Sequence, residues 1–121
     1  MNPETALVLM PHGSRNLEWI EPFEKLARTL NAELGAVYLA YMEINPPTLM
    51  EVARAIMATP IRRYRLLPMF FAKGSHFFVD IPKQMAEVRA AFPELEGELL
   101  DPIGLHPLFT DLVRQVAGEN H

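Results

Sequence analysis

The stretch Tyr64-Arg65-Leu66-Leu67-Pro68-Met69-Phe70-Phe71, followed after Ala72 by Lys73-Gly74-Ser75-His76-Phe77-Phe78-Val79-Asp80-Ile81-Pro82, decides the fold. Its first eight residues are an apolar run of strand length and composition. Beyond it, Met85, Val88, Arg89 and Phe92 recur at helical spacing. The residues between read as a loop that leaves the carboxyl end of a buried strand and enters a helix running from about Ile81 to Phe92. Asp80 reads as the N-cap of that helix and Pro82 as a first-turn residue. Gly74 reads as the residue that permits a tight backbone. In an open α/β sheet, ligands bind at this edge.

The same unit recurs along the chain. Ala6-Leu7-Val8-Leu9-Met10 is apolar without alternation, as suits a strand covered on both faces. Pro11-His12-Gly13-Ser14-Arg15 is its exit loop. Trp19, Phe23, Leu26, Ala27, Leu30 and Leu34 form a helical stripe, with Pro22 expected in the first turn and Gly35 at the end. Ala36 to Met42 reads as the second strand and Glu43-Ile44-Asn45-Pro46-Pro47 as its exit. Thr48 and Glu51 have capping-box spacing and open a helix faced by Leu49, Val52, Ala53, Ile56 and Met57. Glu98-Leu99-Leu100 reads as a short fourth strand. Asp101 to Pro107 follows as a loop, and a last helix carries Leu108, Leu112, Val113 and Val116.

Four strands alternating with four helices predict an α/β three-layer sandwich: a four-stranded parallel sheet, (βα)4, flavodoxin-like, with helices on both faces. At 121 residues the chain is expected to form one domain, residues 1–121. Half the residues are apolar and 21% charged, as in ordinary globular proteins. The net charge of −4 argues against general nucleic-acid binding. With no cysteine, a disulfide, a thiolate nucleophile and a Cys-ligated zinc are all excluded. No apolar run reaches the length of a membrane span, and the N-terminal residues lack a signal-peptide pattern, so no membrane partner and a cytoplasmic location are expected.

The strand exits bring His12, Ser14, Arg15, Glu43, His76, Asp80 and His106 to one edge. A lone loop histidine is more often structural. Two of them after the first and third strands, which are neighbours in this topology, suit a divalent transition metal. Two protein ligands leave coordination positions open, which fits a transient site better than a structural one. Glu43 reads either as a third ligand or proton acceptor, or as a solvated carboxylate. His106 reads as a helix cap or cleft rim. Arg15, Lys73 and Lys83 give the cleft mouth positive charge.

His12-Gly13-Ser14-Arg15, Glu43 shortly before Pro46-Pro47, Gly74-Ser75-His76 with Asp80-Ile81-Pro82, and Gly104-Leu105-His106-Pro107 stand in the order and spacing of the CbiX-type sirohydrochlorin chelatases. The chain closely resembles the short, single-domain form of that family from about Leu7 to Val116. The resemblance implies a class II chelatase that needs no ATP and inserts a divalent ion into a tetrapyrrole. It implies a chelatase-like half domain that works as a homodimer, with His12 and His76 as metal-binding positions. The metal would be substrate: cobalt first, with nickel and ferrous ion also suited, and no organic cofactor. His12, His76 and Glu43 are the candidates for accepting the two pyrrole protons. Ser14, Arg15, Lys73, Gly74, Ser75, Phe77 and Phe78 are candidate substrate contacts, the basic residues pairing with the carboxylates of sirohydrochlorin. Phe77, Phe78, Met42 and Met10 are expected to wall its apolar ring, and Phe70, Phe71, Phe77 and Phe78 to contribute to a partner contact. Two other readings compete: a non-catalytic metal or tetrapyrrole carrier, and a phosphate-binding module using Gly13-Ser14 at a helix start.

Overall fold

A computed structural model describes residues 3–119. The four terminal residues that belong to the single-domain reading lie outside the described residues. The elements are β1 (Ala6–Met10), α1 (Leu17–Leu34), β2 (Val37–Leu39), α2 (Leu49–Met57), β3 (Arg63–Pro68), α3 (Ile81–Ala91), β4 (Glu96–Leu99) and α4 (Pro107–Gly118). The sheet is parallel throughout, in the order β2-β1-β3-β4. The two central strands pair from Ala6 with Tyr64 to Met10 with Pro68.

The side-chain period of two splits the core between two faces. Ala6, Val8 and Met10 join Val52 and Ile56 of α2 and Val88 of α3 on one face. Leu9 packs with Ala27 of α1 and Val37 on the other, with Leu7 and Leu67 beside them. β1 therefore has no exposed side, which is why its sequence does not alternate.

Local chemistry explains the helix ends. The Thr48–Glu51 capping box forms, with Glu51 N–H donating to Thr48 Oγ1 at 3.2 Å and Thr48 N–H to Glu51 Oε1 at 2.9 Å. Gly35 ends α1 at φ +71°, its N–H donating to the Asn31 carbonyl.

Several expected details are corrected. α1 starts at Leu17, capped by Asn16, so Pro22 lies inside the helix and not in its first turn. Ile20 and Ala27 form the buried line of α1, while Trp19 is 70% exposed because it stands one helical step off that line. β2 ends at Leu39 because Tyr41 N–H turns to its own exit loop and bonds the Pro47 carbonyl. β3 ends at Pro68, after which the chain bends away to Phe70, whose carbonyl receives Gly104 N–H. β4 starts two residues early and includes Gly97. The ring of Tyr64, its partner in register, occupies the space where a side chain at residue 97 would stand.

Candidate functional site

His12 leaves β1 two residues after its last strand residue, and its ring lies flat on Phe70, with centroids 4.0 Å apart. Phe70 is itself buried in the core, so it fixes the imidazole plane from beneath. The ring of His76 meets His12 edge-on with centroids 5.2 Å apart. The pairing of β1 with β3 thus brings the two expected histidines together at the carboxyl edge of the sheet. Burial against its neighbours lowers the pKa of His12, and the adjacent His76 adds to this; Glu43 opposes it. A lowered pKa favours the neutral imidazole, the form that binds metal.

The β1 and β2 exits are tied together by backbone. Met42 N–H donates to the Pro11 carbonyl and Glu43 N–H to the His12 carbonyl, at 2.9 and 3.0 Å. Gly13 adopts φ +104°, and a Cβ there would collide with the Glu43 carbonyl oxygen. Ser14 N–H donates to Asn45 Oδ1 at 2.7 Å, while Ser14 Oγ accepts from Asn16 N–H. Asn45 N–H donates back to the Glu43 carbonyl around Ile44 at φ +72°, a strained setting for a β-branched residue. Gln84 of α3 donates to the Met42 carbonyl at 2.9 Å. Glu43 is held by its main chain, with an exposed side chain on a cleft of about 560 Å³ shared with Gln84 and Glu87. Among the described residues, no three His, Cys, Asp or Glu side chains converge as a metal cluster. The structure brings the two histidines together and places the Glu43 charge close enough to act on His12.

The segment after β3 differs from its expected form. It is not a loop: Ser75 begins a helical stretch, His76–Asp80 is a turn of π-helix, and Ile81 N–H donates to the His76 carbonyl. α3 continues it directly. Asp80 therefore caps nothing. Its carboxylate Oδ2 instead lies 2.6 Å from Nδ1 of His76. Gly74 has open space around it and no positive φ, so the glycine that the site's backbone requires is Gly13.

Lys73 pairs with Asp101 at 2.9 Å and sits 5.1 Å above the Phe77 ring. Arg15 and Ser75 are exposed at the rim. Phe77 is half-buried and stacks edge-on with Phe78, which is 65% exposed. Met10 is fully buried in a strand covered on both faces and cannot wall a ligand, whereas Met42, in the β2 exit, is mostly buried and borders the cleft beside Glu43. Phe70 is likewise buried and unable to meet a partner, whereas Phe71 is exposed and packs on Phe109. His106 caps α4, its Nδ1 accepting Leu108 N–H at 3.1 Å.

Sequence reasoning missed three contributors: Phe70 under His12, Asn45 bridging the loops, and Asp80 on His76. Only Asp80 left a signal, its i,i+4 spacing from His76.

Fold and site together define a parallel α/β protein with an open pair of imidazoles at the carboxyl edge of its two central strands. The CbiX family model matches residues 6–120, and the chain belongs to that family. It is 31% identical over 122 residues to the sirohydrochlorin cobaltochelatase of Saccharolobus solfataricus, covering 96% of this chain and 95% of that one. It is 27% identical over 114 residues to the sirohydrochlorin cobaltochelatase of Sulfurisphaera tokodaii, covering 94% and 92%. Among solved structures, a CbiX protein of Marinobacter aquaeolei superposes with TM-score 0.87 at 29% identity, over 98% of this chain and 94% of that one. The sirohydrochlorin chelatase SirB of Bacillus subtilis subspecies spizizenii, solved in complex with cobalt, shares the fold. Its TM-score is 0.81 at 19% identity, over 93% of this chain and 49% of that one.

Proposed function

We propose that this protein is an ATP-independent chelatase that inserts a divalent metal ion, cobalt first, into sirohydrochlorin. The observation that carries the reading is the approach of His12 and His76 to 5.2 Å between the two central strands. Membership of the CbiX family and the names of its cobaltochelatase relatives point the same way.

The chemistry follows from the donor set. Two neutral imidazoles hold the metal substrate and leave its other positions open for pyrrole nitrogens. As the metal–nitrogen bonds form, two pyrrole N–H protons leave the macrocycle. The Glu43 carboxylate, which caps nothing and faces solvent beside His12, accepts them in relay to water. Arg15 and Lys73 pair with substrate carboxylates, Lys73 exchanging its exposed partner Asp101 for one of them. The exposed faces of Phe77 and Phe78 line the apolar ring, and Ser14, Gly74 and Ser75 shape the rim. Nickel and ferrous ions suit the same imidazole pair.

Residues 1–121 act on this reading as one chelatase domain in the cytoplasm, and no described helix is long and apolar enough to cross a membrane. A single copy offers one wall to so broad a ligand, and a homodimer supplies the second. The apolar outer face of α4, with Leu108, Leu112, Val113 and Val116 all exposed, is the surface a second copy would cover. Sedimentation showing a fully active monomer at micromolar concentration removes the dimer.

The functional test is the anaerobic absorbance change of sirohydrochlorin with cobalt and catalytic amounts of protein. Many turnovers per protein are expected. A stoichiometric shift that stops at one equivalent would make the protein a carrier instead.

A further inference from the structure

We infer that Asp80 is a positioning residue: its carboxylate holds the Nδ1–H tautomer of His76 and so keeps Nε2 as the nitrogen offered to the metal. The inference rests on the two-histidine reading above and adds a residue to it.

Asp80 Oδ2 lies 2.6 Å from His76 Nδ1. A carboxylate only accepts, so a hydrogen bond this short requires the proton on Nδ1. The proton is then absent from Nε2 in the neutral ring, and that lone pair is free. A metal-binding imidazole commonly donates its other N–H to a carboxylate, which fixes both tautomer and ring orientation. The same contact stops the ring from rotating about its side-chain bonds away from His12, whose own plane Phe70 fixes.

Nothing else in the structure accounts for the aspartate. Asp80 has helical backbone angles and caps no N–H. Among the described residues its side chain has no other hydrogen-bond or ion-pair partner. The side chains of His76 and Asp80 are 37% and 44% exposed, and an ion pair that open contributes little to folding. The π-turn is the device that brings the pair together. It places His76 and Asp80 on one continuous helical segment leading into α3, where Ile81 is fully buried and anchors the turn. The carboxylate is thus fixed by the core while its partner ring reaches the site.

The test uses the full chain as Asp80→Ala, Asp80→Asn and Asp80→Glu. The first reading is the ring-nitrogen NMR signature of His76 at alkaline pH without metal, where wild type should show a protonated Nδ1 and a bare Nε2. Asp80→Ala should lose that preference, and so should the isosteric Asp80→Asn, whose amide can donate to Nδ1 in place of accepting. The second reading is titration with cobalt(II) alone, where affinity should fall roughly 10–100-fold in both variants. In turnover assays kcat should fall with KM for sirohydrochlorin within about twofold, because Asp80 touches the ring of His76 and not the tetrapyrrole. Asp80→Glu should recover the tautomer and most of the affinity, and denaturant midpoints should stay close to wild type. If Asp80→Ala does not fold, Asp80→Asn carries the same readings. An Asp80→Ala or Asp80→Asn protein that keeps the bare Nε2 and binds cobalt within twofold of wild type overturns the inference. So does a wild-type protein whose His76 carries its proton on Nε2. The nitrogen reading needs no metal, so its failure is separate from failure of the metal-site reading, which would show as wild type that binds no cobalt.

Discussion

Gly13→Ala joins the fold to the chemistry in one substitution. The residue has φ +104°, a region that costs an L-residue about 1–2 kcal/mol. A Cβ there would also lie 3.0 Å from Asn45 Oδ1, 3.2 Å from the Glu43 carbonyl carbon, and well inside the 3.0 Å limit to the Glu43 carbonyl oxygen. None of these atoms is free to yield. The Glu43 carbonyl accepts Asn45 N–H and Asn45 Oδ1 accepts Ser14 N–H, so the whole turn must move as a unit. Relief requires the β1 and β2 exits to part by roughly an ångström, a displacement of the kind that can cost on the order of 10²-fold in rate. The expected result is a stability loss of about 2–4 kcal/mol together with a turnover loss near two orders of magnitude. Urea midpoints measure the first and anaerobic cobalt insertion the second. Gly74→Ala is the control, because its Cβ would meet nothing within 4 Å, and it should leave stability near wild type. A Gly13→Ala protein with wild-type midpoint and turnover would refute the account of the loop junction.

His12→Ala and His76→Ala should each weaken cobalt binding and lower insertion at least tenfold. The double variant should be little worse than either, since one lost ligand spoils a shared site; simple additivity in cobalt titrations counts against that sharing. The lowered pKa of His12 sets the acid limit. Its ring stays neutral as pH falls through the usual 6.5 and protonates only below it, so the His12-dependent part of cobalt affinity should persist into mildly acid solution. A loss centred at or above 6.5 in the wild type, absent from His12→Ala, contradicts this. Gly97→Ala should cost about 1–3 kcal/mol by overpacking, because its Cβ would stand 2.5 Å from the Tyr64 hydroxyl and 2.8 Å from Cε1 of a ring locked in the core. Tyr64→Leu in the same background should recover part of that loss in urea unfolding.

The alternation of apolar runs with helical stripes made the sheet legible, and with it the neighbourhood of the two histidines. That inference needed only strand order, which the doubly wound pattern restricts. What stayed hidden depends on long-range partners. The end of β2 is decided by the bond from Tyr41 to Pro47, and the burial of Met10 by helices that cover its strand on both faces. Trp19 looked like core because it is large and apolar, yet Ile20 beside it has the inward angle. Asp80-Ile81-Pro82 has the chemistry of a helix start, and a π-turn ahead of it leaves no mark in the periodicity.

His12 and His76 lie about sixty residues apart in the chain yet meet because β1 and β3 are paired. Such a contact is non-local, so it forms only once the loop between the strands has closed. A chain ending after α2 would contain His12 and Glu43 but no second imidazole. On the two-histidine reading, metal bound by the pair would sense the registry of the two central strands and favour the folded state by mass action, more strongly as free metal rises above its dissociation constant. Thermal unfolding followed against cobalt concentration would report on sheet assembly itself, with the ion serving as a clasp between the first half of the chain and the second.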